Sequence, residues 1–444
     1  MKPIQVGLLG IGVVGAGTFN VLKRNQEEIQ RRAGRGIAIT MVADLDVERA
    51  KSIAGEGVQV VSDARAVISN HDIDIIIELI GGYGIAKTLV LEAIAAGKHV
   101  VTANKALLAV HGTEIFAAAS AKGVMVAFEA AVAGGIPIIK ALREGLTANQ
   151  IQWVAGIING TTNFILSEMR DKGLDFDVVL KEAQRLGYAE ADPTFDIEGV
   201  DAAHKATIMS AIAFGIPVQF DKAYVEGITK LGSSDIKYAE QLGYRIKLLG
   251  ITKRRPEGIE LRVHPCLIPA KRLIANVEGA MNAVMVQGDA VGTTLYYGKG
   301  AGSEPTASAV IADLVDITRL HTADAANRVP HLAFQPNTFD KAMGTLPVLP
   351  MGEVVTSYYL RLRVADQAGV LAKVTGILAS MDISIDAVLQ READEVSGEG
   401  GTQTDLIILT HDCSEAKMNS AIALMQALPT VLQPIVRIRK EELA

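Results

Sequence analysis

The 444-residue chain is 49% hydrophobic and 21% charged, with a formal net charge of −7. That length and composition accommodate two to four globular domains with a substantial core, and an acidic balance with no basic run excludes a nucleic-acid surface. Cys266 and Cys413 are the only cysteines, which excludes a disulfide framework or a thiolate metal site and points to a reducing, cytoplasmic setting. No apolar run is long enough to span a bilayer, so no membrane partner is expected.

In chain order, Ile4–Leu9 reads as a buried strand and Val13–Asn25 as the helix after it. Between them Gly10-Ile11-Gly12-Val13-Val14-Gly15 makes a G-x-G-x-x-G. Its glycines allow a tight turn, close backbone approach to a pyrophosphate and close helix–strand packing, while the helix N-terminus favours the phosphate charge. A second strand, Ile37–Ala43, ends at Asp44, placed to hydrogen-bond a ribose hydroxyl and favour NAD. The preceding insert carries Arg31, Arg32 and Arg35, each a candidate for a 2′-phosphate, which leaves NAD and NADP both open. Strand Ile73–Leu79, helix Ala86–Ala96 and strand His99–Thr102 follow, and Lys105 stands just past a strand end, where open α/β sheets face their ligands. Helix Thr113–Lys122 and strand Val124–Phe128 complete the alternation. Glu129 then precedes the small-residue loop AAVAGG, a carboxylate beside free carbonyls that suits a cation with oxygen ligands. Residues 1–135 therefore read as a dinucleotide-binding α/β domain.

From Ile151 the pattern changes. A strand, Ile151–Ile157, leads to an Asn159-Gly160 turn, with Thr161, Thr162 and Asn163 as helix-capping residues beside a pocket for a small polar substrate. Helix Val178–Leu186 leads to GYAEADPTFDIEGVDAAHK, which crowds Glu190, Asp192, Asp196, Glu198, Asp201, His204 and Lys205 together. Asp201 and Lys205 share one face of a helix too apolar to lie at the surface, so Lys205 is a candidate proton donor or substrate clamp. Residues 259–297 alternate as antiparallel strands. The turn Gly298–Ser303 (GKGAGS) then opens a helix at about 303–322 that returns to the nucleotide domain.

These motifs resemble homoserine dehydrogenase: GIGVVG at 10–15, TANK at 102–105, FEAAVAGGIP at 128–137, GIINGTTNFIL at 156–166 and GYAEADPTFDIEGVDAAHK at 187–205. The resemblance implies NAD(P)H-dependent interconversion of L-aspartate 4-semialdehyde and L-homoserine in threonine, methionine and isoleucine biosynthesis. It implies Lys205 as acid/base with Asp201 beside it, and Lys105 reaching nicotinamide and substrate as an alternative proton carrier. Glu190 is implied to bind the substrate ammonium, with Asp196, Tyr188, Gly160 and Thr161 near the substrate. The cofactor is implied to meet Gly10, Ile11, Gly12, Val13, Val14, Gly15, Asp44, Lys105 and Gly302. A monovalent cation, Na or K, is implied at Glu129 with main-chain oxygens of Val132, Gly134 and Ile136. Residues 136–302 correspond to a substrate and dimerisation domain, so a homodimer or homotetramer is expected, and a first strand at Ile4 leaves no place for the kinase fused to some members. The rival readings are an oxidoreductase on another amino-acid aldehyde and a non-catalytic amino-acid sensor.

Prolines 330, 336, 347 and 350 mark residues 328–352 as a linker. Beyond it, residues 353–444 show the order βαββαβ, which is ferredoxin-like, and Val364–Leu371 resembles the first turn of an ACT domain. The resemblance implies an amino-acid effector, such as threonine, at Asp366, Gly369, Val370 and Leu371. Ala368 and Asp382 stand where the family usually has proline and asparagine. The whole chain is thus expected to be α/β, with a Rossmann domain, an α+β substrate domain and a regulatory ACT domain.

Overall fold

The runs IQVGLL, IAITMVA and IIIE carry apolar side chains in continuous stretches, which suits strands covered on both faces. The computed structural model describes residues 2–324, 328–334, 346–390 and 403–443. It places these runs in a six-stranded parallel sheet. The strands are β1 (Ile4–Leu9), β2 (Ile37–Ala43), β3 (Gln59–Val61), β4 (Ile75–Glu78), β5 (His99–Thr102) and β6 (Val126–Ala127), in the order β3-β2-β1-β4-β5-β6. The order reverses between β1 and β4, where a doubly wound sheet opens a crevice at its C-terminal edge. The helix after β5 starts at Lys105 rather than Thr113, because the Asn104 side chain caps it, accepting from the Leu107 amide at 3.1 Å. The return helix, Ser303–Leu320, lies against Val13–Arg24: the Ser303 hydroxyl donates to the Val13 carbonyl at 2.8 Å and Arg24 pairs with Glu304 at 2.7 Å.

The middle of the chain builds a second sheet from β7 (Ile151–Ile157), β8 (Tyr224–Val225), β9 (Tyr244–Arg254), β10 (Ile259–Pro269), β11 (Met281–Gly288) and β12 (Gly292–Lys299). The sequence does not mark the long strand β9, because its central seven residues are all buried and show no alternation. Helix Val200–Phe214 is buried from Asp201 onward. That matches its apolar composition and fixes Asp201 and Lys205 against the sheet.

The C-terminal region contributes β13 (Val355–Ala365), β14 (Ile385–Gln390), β15 (Gln403–Thr410), β16 (Cys413–Ser414) and β17 (Val436–Lys440), with helices Val370–Ser380 and Glu415–Gln426. Its strand order β17-β13-β15-β14 is the ferredoxin-like one. Residues 335–345 of the proline-rich segment, with Pro336, and 401–402 lie outside the described residues.

The two later regions are separated in sequence but not in space. Strand β17 pairs in parallel with β10 (Cys266 with Arg439, Leu267 with Lys440), so one eleven-stranded sheet runs through both. At this seam the fully buried Arg439 donates to Glu226 at 2.9 Å, Tyr224 at 3.0 Å and Glu415 at 2.9 Å. Arg262, equally buried, meets Glu260 at 2.9 Å and Glu441 at 2.7 Å. Charges this deep are tolerated only when paired. Tyr359, Ile407 and Ile438 share an apolar core with Leu261, Val263 and Leu267.

Candidate active site

Three elements converge at the crevice: the glycine loop after β1, the start of the helix after β5, and the start of helix Val200–Phe214. In the glycine loop, Gly10 has φ +90° and a Cβ there would lie 2.8 Å from the Leu79 carbonyl, so only glycine fits. Helix Val13–Arg24 has no side-chain cap, which leaves its first amides for an anion. A cavity of about 420 Å³ beside it is lined by Gly10, Gly12, Asp44, Leu45, Asp63, Arg65 and Ile80, among others. One Asp44 oxygen accepts from the Ile11 amide at 2.8 Å and the other from the Asp46 amide at 3.0 Å. This geometry fits a dinucleotide, with Gly10–Gly15 at the pyrophosphate and Asp44 at the ribose. Arg31, Arg32 and Arg35 lie elsewhere, which corrects the expectation that one of them meets a 2′-phosphate. They precede β2 whereas Asp44 follows it; Arg31 and Arg32 pair with Glu28, and Arg35 donates to the Lys2 carbonyl. The cavity's own arginine, Arg65, is held by Glu92 at 3.0–3.1 Å. Gly302 (φ +127°) ends the glycine turn ahead of the return helix.

The proton-handling group is assembled across the chain. Lys205, 9% exposed, donates to the Ile158 carbonyl and to Asp201 Oδ2, both at 2.7 Å. Lys105, whose side chain is 33% exposed, meets Asp201 Oδ1 at 3.3 Å. One buried carboxylate therefore holds two ammonium groups. Burial pushes the Asp201 carboxyl up, but Lys205, Lys105 and the Asn159 amide outweigh it and leave it at about 2. Asn159 Nδ2 bridges Asp196 (2.7 Å) and Asp201 (2.8 Å), and its Oδ1 caps helix Gly160–Lys172 through the Thr162 amide at 2.8 Å. The cap is thus Asn159, rather than Thr161, Thr162 and Asn163, which lie inside the helix. Thr161 donates to Asp196 at 3.1 Å and to the Tyr188 carbonyl at 2.7 Å. Burial, and then the Asp201 charge, raise the Asp196 carboxyl above its ordinary value. Tyr188 is exposed and stacks on Phe164 at 4.4 Å, and Glu190 is exposed with no ion pair among the described residues.

The sequence alone does not mark Asn159 as a bridge, nor the Ile158 carbonyl or Phe195 as part of the site. The Phe195 ring lies 5.8 Å from Lys105 Nζ and 5.3 Å from the His204 ring. Asn159 was visible as a polar residue ahead of Gly-Thr-Thr; nothing local tied it to two distant aspartates. His204, with its imidazole lowered to about 4 chiefly by burial, is neutral.

Just after β6, the Glu129 carboxylate accepts the Ile139 and Lys140 amides at 2.9 and 2.8 Å. Burial, with Asp313 adding to it, raises Glu129 to about 7, and burial raises Asp313 to about 6. The loop after it turns through Ala133 (φ 54°) and Gly134 (φ 38°). The Val132 and Gly134 carbonyls have no hydrogen-bond donor among the described residues, while Ile136 accepts from Ile138 at 2.7 Å. Oxygen ligands of this kind, next to a carboxylate, fit a hard monovalent cation. In the C-terminal region, Gly369 (φ 88°) precedes helix Val370–Ser380, and a cavity of about 290 Å³ is lined by Asp366, Gly369, Val370, Leu371, Gln390 and Leu406, among others.

A doubly wound sheet with a glycine loop, whose Lys105 shares a buried aspartate with the buried Lys205 of a second domain, defines a nucleotide-dependent oxidoreductase. The family model for the homoserine dehydrogenase NAD-binding domain matches residues 10–129, that for homoserine dehydrogenase matches 137–315, and that for the ACT domain matches 358–428. The chain belongs to the homoserine dehydrogenase family. It is 60% identical to the homoserine dehydrogenase of Pseudomonas aeruginosa and 57% to that of Neisseria gonorrhoeae, with 100% of each chain covered. The crystal structure of a homoserine dehydrogenase from Thiobacillus denitrificans is 64% identical, with a TM-score of 0.94 over 100% of this chain and 99% of that one.

Proposed function

We propose that the chain reduces L-aspartate 4-semialdehyde to L-homoserine, and that Lys205 delivers the proton. The bound nicotinamide cofactor supplies the hydride. Reduction leaves charge on the aldehyde oxygen, which needs a positioned acid. Lys205 meets that need: two of its N–H groups are fixed by Asp201 and Ile158, and the third is left for substrate. Asp201 fixes the Lys205 ammonium in place, and Lys105, on the same carboxylate, adds positive charge where the oxyanion forms. Glu190 takes the substrate ammonium. Gly160 and Thr161, at a helix N-terminus, take its carboxylate, with Asp196 and Tyr188 completing the wall. The observation that carries this reading is the double ion pair on Asp201.

Gly10, Ile11, Gly12, Val13, Val14 and Gly15 hold the pyrophosphate, with Asp44 at the ribose and Lys105 and Gly302 toward the nicotinamide. With Asp44 at the ribose and Arg65 tied to Glu92, NAD is the better-matched nucleotide, because a 2′-phosphate meets a carboxylate there. Glu129, with the Val132, Gly134 and Ile136 oxygens, holds Na or K. Residues 1–135, 136–302 and 353–444 serve as nucleotide, substrate and regulatory domains in a homodimer or homotetramer acting in threonine, methionine and isoleucine biosynthesis. An amino acid such as threonine binds at Asp366, Gly369, Val370 and Leu371 and lowers activity. The test follows nucleotide absorbance with aspartate semialdehyde and NADH or NADPH. No oxidation with either supports the amino-acid sensor, and turnover only of a different aldehyde supports the other oxidoreductase.

A further inference from the structure

Asn282 has no part in the chemistry above, yet its side chain is in an unusual state. It lies on β11 opposite Gly298 of β12, is 1% exposed, and neither Nδ2 nor Oδ1 has a hydrogen-bond partner. Both atoms are closed off from solvent. A buried amide left this way costs free energy, and such groups persist where another state of the molecule gives them partners.

The surroundings identify that state. A Cβ on Gly300 would fall on the Asn282 amide, and one on Gly160 would lie 3.6 Å from its Oδ1 and 2.8 Å from the Ala280 carbonyl. Gly300 belongs to the glycine turn 298–302. That turn is tied to the Glu129 loop, where the Gly135 amide donates to the Lys299 carbonyl at 2.9 Å. It also leads into Ser303, which donates to the Val13 carbonyl of the nucleotide helix. Gly160 opens the helix that carries Thr161. The unpartnered amide therefore sits where the cofactor half and the substrate half of the cleft meet.

We propose that Asn282 is a positioning residue that gains its partners when ligands fill the cleft. The turn 298–302, already packed against the carboxamide at Gly300, shifts so that its main chain hydrogen-bonds the amide, and those bonds fix the distance between the nucleotide helix and the substrate helix. Hydride transfer requires reacting atoms about 3–3.5 Å apart, and that spacing is what the latch sets. The proposal rests on the dehydrogenase reading of the same cleft.

The test is Asn282→Leu, close in shape and without polar atoms, measured by thermal unfolding and steady-state kinetics. Removing atoms that have no partner leaves the ligand-free Tm unchanged or raised. The Tm rise produced by NADH plus homoserine shrinks, and kcat/KM falls by roughly 10²-fold, as for a misplaced reacting pair. Asn282→Ala, which also lacks the amide, shows the same fall in kcat/KM. A leucine variant that is less stable without ligands, or does not fold, overturns the proposal, since Asn282 would then be holding the free protein together. So does either variant with the wild-type ligand response and kcat/KM. A wild-type protein that ignores NADH plus homoserine would instead remove the dehydrogenase reading, and this proposal with it.

Discussion

Replacing Asp201 with asparagine keeps the side chain's shape and removes the charge that holds the site together. At 2.7 Å from Lys205, the attraction between unit charges is about 6 kcal/mol at an effective dielectric of about 20. Losing one partner of a buried pair costs about 3–5 kcal/mol net. Here both lysines lose the carboxylate they share, so Lys205 is no longer fixed where the aldehyde oxygen needs its proton. The acid for aldehyde reduction is then out of place, and kcat should fall by roughly 10²–10⁴-fold. Stability carries a second signature. The Asp201 carboxyl sits at about 2 against an ordinary 3.8. Its contribution is therefore present above pH 3.8 and lost as pH falls toward 2, a change of about 2 kcal/mol. Stopped-flow nucleotide oxidation and acid unfolding of Asp201→Asn beside wild type measure both. A variant that keeps kcat within a few-fold and the wild-type acid transition would refute the double ion pair as the organising feature of the site.

Glu190→Gln removes the charge offered to the substrate ammonium, so KM for homoserine should rise with kcat little changed; an unaltered KM rejects that anchor. Glu129 at about 7 and Asp313 at about 6 lie above ordinary carboxylate values. The folded protein thus binds more protons than the unfolded chain between about pH 4 and 7, and stability declines as pH rises through that window. A cation on ionised Glu129 offsets the decline, so Tm in NaCl or KCl should exceed Tm in tetramethylammonium chloride more at pH 8 than at pH 6. An equal difference at both pH values, or one that persists in Glu129→Gln, removes the cation from this loop. For regulation, Asp366→Ala should abolish inhibition by threonine while sparing uninhibited kcat, and typical coupling of about 1–3 kcal/mol makes the loss easy to read. Full-length protein that ignores threonine, isoleucine and methionine alike would leave the domain as an assembly module. Truncation at Gly352 is a poor version of this experiment, because it strips β17 from β10 and leaves Arg262 without Glu441.

What was legible in the sequence was local. The G-x-G-x-x-G sits between the strand and helix its spacing demanded, Asp201 and Lys205 meet because they are four apart on a helix, and the βαββαβ order survives intact. What was hidden depends on chain segments far apart. Lys105 reaches Asp201, and Asn159 joins Asp196 to Asp201, only because β5 and β7 end, and helix Val200–Phe214 begins, at the same crevice. The proline-rich segment suggested a separate last domain, yet two backbone pairs and a buried cluster of arginines and glutamates merge the sheets. Arginines in the insert before β2 were attractive by charge, but the length of β2 separates them from Asp44.

In the proposed reaction Lys205, held by Asp201, is the proton donor. Nucleotide oxidation with aspartate semialdehyde, followed for wild type and Lys205→Ala under saturating substrate, tests it most directly. A kcat lower by roughly 10²-fold or more is expected, with nucleotide binding unchanged by fluorescence titration. A near-normal kcat in Lys205→Ala would contradict it and transfer the role to Lys105.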